Sequence, residues 1–266
     1  MRILLSNDDG IFAPGLLALR QAVEGLGEIT VVGPASPQSA TGHSITLSEP
    51  LTVRRVDLGA GLSGLSIDGR PADCVRLAIR KLLDDPPDLV ITGLNAGSNV
   101  GVNVFYSGTV AGAAEGAMLG IPAVAMSAVV PGSAGIESFR APASLCREVL
   151  GQLLDCGLAS GDLLNVNIPP LADSDGRRVG PTGVTVVGQS TAEIEDYYHL
   201  TGAGGDGESF QLSEQYKFTP EQANTDVVRL AEGYVTITPL HVDMTNHDRL
   251  ATMAKWSWDD QGPAPR

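Results

Sequence analysis

Short apolar runs alternate with amphipathic stretches through the first half of the chain. Arg2 to Ser6 is an apolar run bounded by Asn7-Asp8-Asp9-Gly10, the pattern of a buried strand that ends in a turn. Pro14 opens a helical pattern through Leu16, Leu17, Leu19, Val23 and Leu26, closed by Gly27. Ile29 to Val32 reads as a second strand, ended by Gly33-Pro34. Strand, helix and strand in that order predict a right-handed β-α-β unit and so a parallel sheet.

The alternation continues. After a polar loop, Ser36 to Ser44, short strands are expected at Leu51 to Val56 and Leu65 to Ile67. Pro71 to Leu83 is a helix with Val75, Ala78, Ile79 and Leu82 on one face. Asp88 to Thr92 is a buried strand followed by a Gly/Asn loop, Gly93 to Asn103. Thr109 to Leu119 reads as a small-residue helix, Pro122 to Ser127 as a strand, Ala141 to Leu154 as a helix and Leu163 to Ile168 as a strand. This is the pattern of a doubly wound α/β sheet. Val184 to Phe218 differs. It is polar, Gly-rich and strand-like, with Tyr197, Tyr198, Phe210, Tyr216 and Phe218 spaced along it, and it predicts an antiparallel arm. Pro220 to Glu232 returns to helix and Tyr234 to Thr238 to strand; the tail after His247 has little periodicity. The expected organisation is one domain over residues 1–266, with the arm at 184–218 and a C-terminal tail at 241–266.

Composition narrows the partners. The 266 residues suffice for one large α/β domain, and with only 5% aromatics the core must be built from Val, Leu, Ile and Ala. A net charge of −14 with no Lys/Arg-rich run repels polymeric nucleic acid and anionic membranes. A small phosphate compound remains compatible, provided a cation or a helix N-terminus supplies local positive charge. Cys74, Cys146 and Cys156 show no metal-ligand spacing and read as reduced and structural, which fits a cytoplasmic protein. Met1 to Leu5 reaches Asp8-Asp9 too early for a signal-peptide core, and no apolar run is long enough to span a bilayer.

The chemistry concentrates at one sheet edge. Asp8 and Asp9 lie at the carboxyl end of the first strand, where open α/β sheets bind ligands. Two adjacent carboxylates serve either as a solvated turn, one of them capping the next helix, or as the centre of a cation site. Ser39 with Gly42-His43-Ser44, and Asn95, Asn99 and Asn103, fall on loops at equivalent positions. Hydroxyl and amide oxygens complete a hard-cation shell, so Mg²⁺ or Mn²⁺ suits the set better than Zn²⁺; equally, Asn and Gly serve turn geometry. Ser107-Gly108-Thr109 precedes a helix, either as an anion-binding N-terminus or as a plain N-cap. In the first reading Gly108 lets phosphate approach, and a bulky residue there should spare the metal ligands.

Asn7-Asp8-Asp9-Gly10, Ser39 with Gly42 to Thr46, Gly93 to Asn99 and Tyr106 to Val110 resemble, in order and spacing, the signature blocks of the SurE survival-protein family. Leu164 to Pro169 and Gly233 to Leu240 resemble its later blocks, so the likeness runs from Met1 to about Leu240. It implies a Rossmann-like three-layer fold with a mostly parallel sheet and an extended arm that joins protomers into homodimers or homotetramers. It implies a metal-dependent nucleotidase acting on nucleoside 5′- and 3′-monophosphates, in some members also on short polyphosphate, with Asp8, Asp9, Ser39 and Asn95 as metal ligands. Ala40 stands where some members carry Gly, and Gln189 to Gly207 departs from the Arg/Pro/Trp-containing sequence expected near the substrate.

On this reading one divalent cation per subunit activates a water, Asp8 takes its proton, and Asn95, Asn99, Ser107, Gly108 and Thr109 hold the phosphate. The alternatives are a phosphatase with an aspartyl-phosphate intermediate, disfavoured because its carboxylates are usually spaced by one residue, and a nucleotide-binding sensor without turnover. Gly202 to Gly207 fits the dinucleotide-binding spacing but reads as a flexible loop, with no strand entering and no helix leaving. His241, Asp243, His247 and Asp248 read as a surface turn, and His43 as an organiser of its loop.

Overall fold

Leu4 and Leu5 are both fully buried, yet successive side chains on a strand point to opposite faces. Strand β1 (Arg2–Ser6) is therefore covered on both sides. Leu5 joins Leu16, Leu19, Ile91, Met126 and Phe139 in one apolar layer, and Leu4 joins Val75, Val90, Ala113 and Ala125 in the other. Helices α1 (Pro14–Ala22) and α4 (Ile136–Cys156) cover the first face; α2 (Pro71–Leu77) and α3 (Gly108–Met118) cover the second. The structure, a computed structural model, describes residues 1–130, 135–172, 177, 179–195, 198–204, 207–213, 217–219 and 222–256.

The strands that follow β1 are β2 (Glu28–Pro34), β3 (Val53–Gly59), β4 (Leu62–Ile67), β5 (Leu89–Ala96), β6 (Ala123–Ala128), β7 (Leu163–Ile168) and β8 (Gly183–Val186). Then come β9 (Glu193–Glu195), β10 (Tyr198–Gly204), β11 (Gly207–Leu212), β12 (Lys217–Thr219) and β13 (Tyr234–Leu240). Among the described residues the main sheet has nine strands in the order β3-β4-β2-β1-β5-β6-β7-β13-β8. Its pairings are parallel except β3 with β4 and β13 with β7. The chain leaves β1 toward β2 on one side and resumes at β5 on the other. The carboxyl ends of β1 and β5 thus flank a topological switch point, where a crevice forms.

The expected three-layer, mostly parallel architecture with an antiparallel arm is present, with local corrections. Strand β5 continues to Ala96, four residues into the expected loop. Gly93 looked like a breaker, but it is in the strand because a Cβ there would lie 2.3 Å from the Met126 carbonyl oxygen. The helix expected over Pro71 to Leu83 widens into a π-helical turn at Ala78–Leu82. Helix α4 starts at Ile136, five residues early, and α5 is confined to Asp226–Ala231. Val184 to Val186 belong to the main sheet beside β13, so the arm proper is the ladder β9–β12 and the hairpin β10–β11. Gly202–Gly204 ends a strand, and a second strand starts at Gly207; the glycine-rich stretch is a hairpin tip, not a dinucleotide loop. The tail carries α6 (His247–Met253), capped by the Asn246 side chain, which accepts from Arg249 N; it buries no residue and so leaves no apolar period to read. Tyr197, Tyr216, Pro220 and the centre of the glycine-rich stretch, 205–206, lie outside the described residues. No helix among the described residues is long and apolar enough to cross a membrane. Cys74 and Cys146 are buried in α2 and α4, where burial pushes both thiols up, Cys146 to about 12.

Candidate active site

The apolar run of β1 stops at Ser6, and the next residues turn across the sheet edge. Asn7 donates Nδ2 to the Gly10 carbonyl at 3.0 Å, which closes the turn carrying Asp8 and Asp9. Asp8 is only 5% exposed. Its carbonyl accepts from Gln38 N at 2.8 Å, which pulls the loop after β2 against the end of β1. Ser39 follows on an exposed turn, and Gly42 N donates to the Tyr106 carbonyl at 3.0 Å, fixing the other end of that turn. Ala40 sits at φ 56°, in the left-handed region, which accounts for Gly being suited to this position.

Asp8, Asp9, Ser39 and Asn95 line one cleft of about 250 Å³, together with Asn99, Asn103, Tyr106 and Ser107. A register shift in the β5–β6 pairing between Thr92 and Asn95 re-aims the end of β5. Asn95 donates Nδ2 to Gly97 O at 2.9 Å, so its Oδ1 is what it offers the cleft.

Gly108 and Thr109 stand behind Asp8. Thr109, fully buried, donates its hydroxyl to Asp8 Oδ1 at 2.5 Å. A Cβ on Gly108 would lie 2.7 Å from Asp8 Cβ and 2.9 Å from Asp8 Oδ2. The expectation that a bulky residue at 108 spares the metal ligands is thereby corrected: glycine here makes room for Asp8 itself. The Ser107 hydroxyl accepts from Val110 N at 3.1 Å and caps α3.

Electrostatics follow from this packing. Burial, opposed by the Thr109 hydroxyl and reinforced by the neighbouring Asp9 charge, lifts Asp8 from its ordinary 3.8 to about 6. Burial also lifts Asp9, against a hydrogen bond from the Ala96 backbone. Two adjacent carboxyls that resist ionising, facing a cleft with a neutral hydroxyl and a carboxamide oxygen, fit a divalent cation. Among the described residues no three His, Cys, Asp or Glu side chains converge to hold a metal, so any such ion here needs the neutral oxygens.

Several contacts around the cleft were not expected from the sequence. Asn99 donates its backbone N–H to Asn167 Oδ1 and Nδ2 to Ser127 Oγ, both at 2.8 Å, and its carbonyl accepts from Asn165 Nδ2 at 2.7 Å. The readable signal was Asn165-Val166-Asn167, two amides on one face of a strand with no solvent. His43 lies 2.8 Å from Glu115 Oε1, and Arg76 Nη1 donates to Glu115 Oε2 at 3.2 Å. Burial pushes the Glu115 carboxyl up, but His43 and Arg76 outweigh it and hold it below the ordinary range. The loop after Ser39 is thus tied to α3, while His247 pairs with Asp243 at 2.8 Å on the exposed tail.

Comparison with known proteins identifies the family. The sequence profile of the family described as Survival protein SurE matches residues 3–194. The chain is 40% identical over 260 residues to a protein of Rhodopirellula baltica named 5′-nucleotidase SurE, covering 97% of this chain and 99% of that one. A protein of the same name from Carboxydothermus hydrogenoformans is 40% identical over 268 residues, covering 96% of each. The crystal structure of the SurE protein from Aquifex aeolicus superposes with a TM-score of 0.78 at 36% identity, covering 95% of this chain and 98% of that one. The chain belongs to the SurE family.

Proposed function

We propose that the protein is a divalent-metal-dependent phosphatase that hydrolyses nucleoside 5′- and 3′-monophosphates. The observation that carries this reading is the convergence of Asp8, Asp9, Ser39 and Asn95 on one cleft at the switch point, in a chain whose relatives are named 5′-nucleotidases. Mg²⁺ or Mn²⁺ held by these four residues would neutralise phosphate charge and make a water more acidic. Asp8, with Oδ1 engaged by Thr109, keeps Oδ2 to accept the proton of the attacking water. Water oxygen bonds to phosphorus, the ester P–O bond breaks, and Asp8 passes the proton to the leaving oxygen, so that the nucleoside leaves as its alcohol beside inorganic phosphate. Asn99, Asn103 and Ser107 line the side of the cleft that orients phosphate, and backbone amides at the start of α3 favour its charge. The arm supports a homodimer or homotetramer of a cytoplasmic protein. Phosphate release across a panel of 5′- and 3′-nucleotides tests the activity. Release from none of them overturns it.

A further inference from the structure

Asp226 is fully buried, and the proposed chemistry does not use it. Its Oδ2 accepts from Gly101 N at 2.8 Å; its Oδ1 accepts from Ser190 N at 2.8 Å and from Val227 N at 2.9 Å. Its own N–H donates to Gly188 O at 3.0 Å. These contacts join three remote pieces of chain. Gly188 and Ser190 are where the arm leaves the main sheet, Asp226 is where it returns, and Gly101 opens the 3₁₀ turn Gly101–Phe105 at the cleft.

Further contacts converge on the same glycine. Gln189 donates Nε2 to Gly101 O at 2.8 Å. Phe218, on the returning strand β12, packs so closely that a Cβ on Gly101 would lie 2.6 Å from its ring. The turn that starts at Gly101 sets the cleft rim. Tyr106 N and Ser107 N both donate to the Asn103 carbonyl, at 3.0 and 3.1 Å, and Asn103, Tyr106 and Ser107 line the cleft. None of these contacts touches Asp8, Asp9, Ser39 or Asn95.

We infer that Asp226 is a positioning residue that couples the root of the arm to the substrate-side rim of the cleft, so that the seating of the arm sets nucleotide binding and leaves the cation site alone. The inference rests on the nucleotidase reading and adds a lever to it. A buried carboxylate holding three amides is suited to the task, because charge-assisted bonds to fixed donors tolerate little displacement. Burial lifts its carboxyl, opposed first by the Gly101 amide.

The test is Asp226→Asn in the full chain. An amide group cannot accept at both oxygens, so at least one of Gly101, Ser190 and Val227 loses its acceptor. KM for the best nucleoside monophosphate should rise by about tenfold or more, since small misplacement of positioning groups is costly. KM for p-nitrophenyl phosphate should rise with it, because the rim orients the phosphate that both substrates carry, while Mn²⁺ affinity by titration should stay within about twofold. A lower Tm with an unchanged nucleotide KM overturns the inference and leaves Asp226 as architecture. A fall in Mn²⁺ affinity as large as the rise in KM also overturns it. If the variant does not fold, Gln189→Ala, which removes only the side-chain bond to Gly101, decides by the same readouts. A parent inactive on every nucleotide overturns the proposed function instead; an active parent with an unchanged variant KM overturns only the role of Asp226.

Discussion

Asp8 is held by what stands behind it. Thr109 donates to one carboxyl oxygen, and the missing side chain of Gly108 leaves room for the other. Gly108→Ala should therefore displace Asp8. We expect Mn²⁺ affinity and turnover to fall together, turnover by about a hundredfold if the carboxylate loses its alignment. Fully retained Mn²⁺ affinity in a calorimetric titration would contradict this. The raised carboxyl also gives a pH dependence. A folded pKa above the ordinary 3.8 makes Asp8 stabilising when neutral; that contribution is complete at low pH and is lost as pH rises through about 6, on the order of 3 kcal/mol in all. A divalent cation takes the ionised form and reverses the loss. The Tm increase caused by Mn²⁺ should thus be larger near pH 7 than near pH 5. The difference with and without metal is the correct readout, because Glu115, held low, contributes with the opposite sign. An equal Mn²⁺-induced increase at both pH values would count against it.

Element ends set the cleft, and they explain what could be read from the chain. Parallel strands buried on both faces appear as continuous apolar runs, so β1, β2, β6 and β7 were legible within a few residues. Strand β5 was cut short because Gly93 reads locally as a break, whereas the reason for it is a carbonyl on the neighbouring strand. Helix α6 has no buried face and so no period. Asp8-Asp9 was legible because local order places it after a strand. The pairings of Asn165, Asn167 and Asp226 were not, since they span 66, 68 and 125 residues. Such pairs exist only after the sheet has formed. Asn167→Leu tests one of them. It strands the buried Asn99 N–H, which should cost about 1–3 kcal/mol of stability and raise nucleotide KM as Asn99 loses its seat. Chemical denaturation and kinetics on the same sample check both; a destabilised variant with an unchanged KM would separate Asn99 from substrate binding.

Across the whole molecule, two features go beyond the single subunit's fold. On the β10–β11 hairpin, Tyr198 pairs with Leu212 and Leu200 with Phe210, and all four are among the exposed large apolar residues. A hairpin face of this kind is poorly suited to water and well suited to a partner subunit. Phe210→Asp should shift sedimentation from dimer or larger toward monomer at micromolar concentration; an unchanged coefficient would place the interface elsewhere, and a monomeric parent would remove it. The second feature is the net charge of −14, which repels nucleotides from nearly every approach. Attraction must then come from the site, and the site's own side chains are acidic. The most direct measurement is phosphate release from a nucleoside monophosphate by protein stripped of metal with a chelator, then titrated with Mn²⁺ or Mg²⁺, beside Asp9→Asn. The account predicts no release from stripped protein, saturable recovery with added cation, and a folded Asp9→Asn variant that does not recover. Full turnover after exhaustive chelation would contradict it.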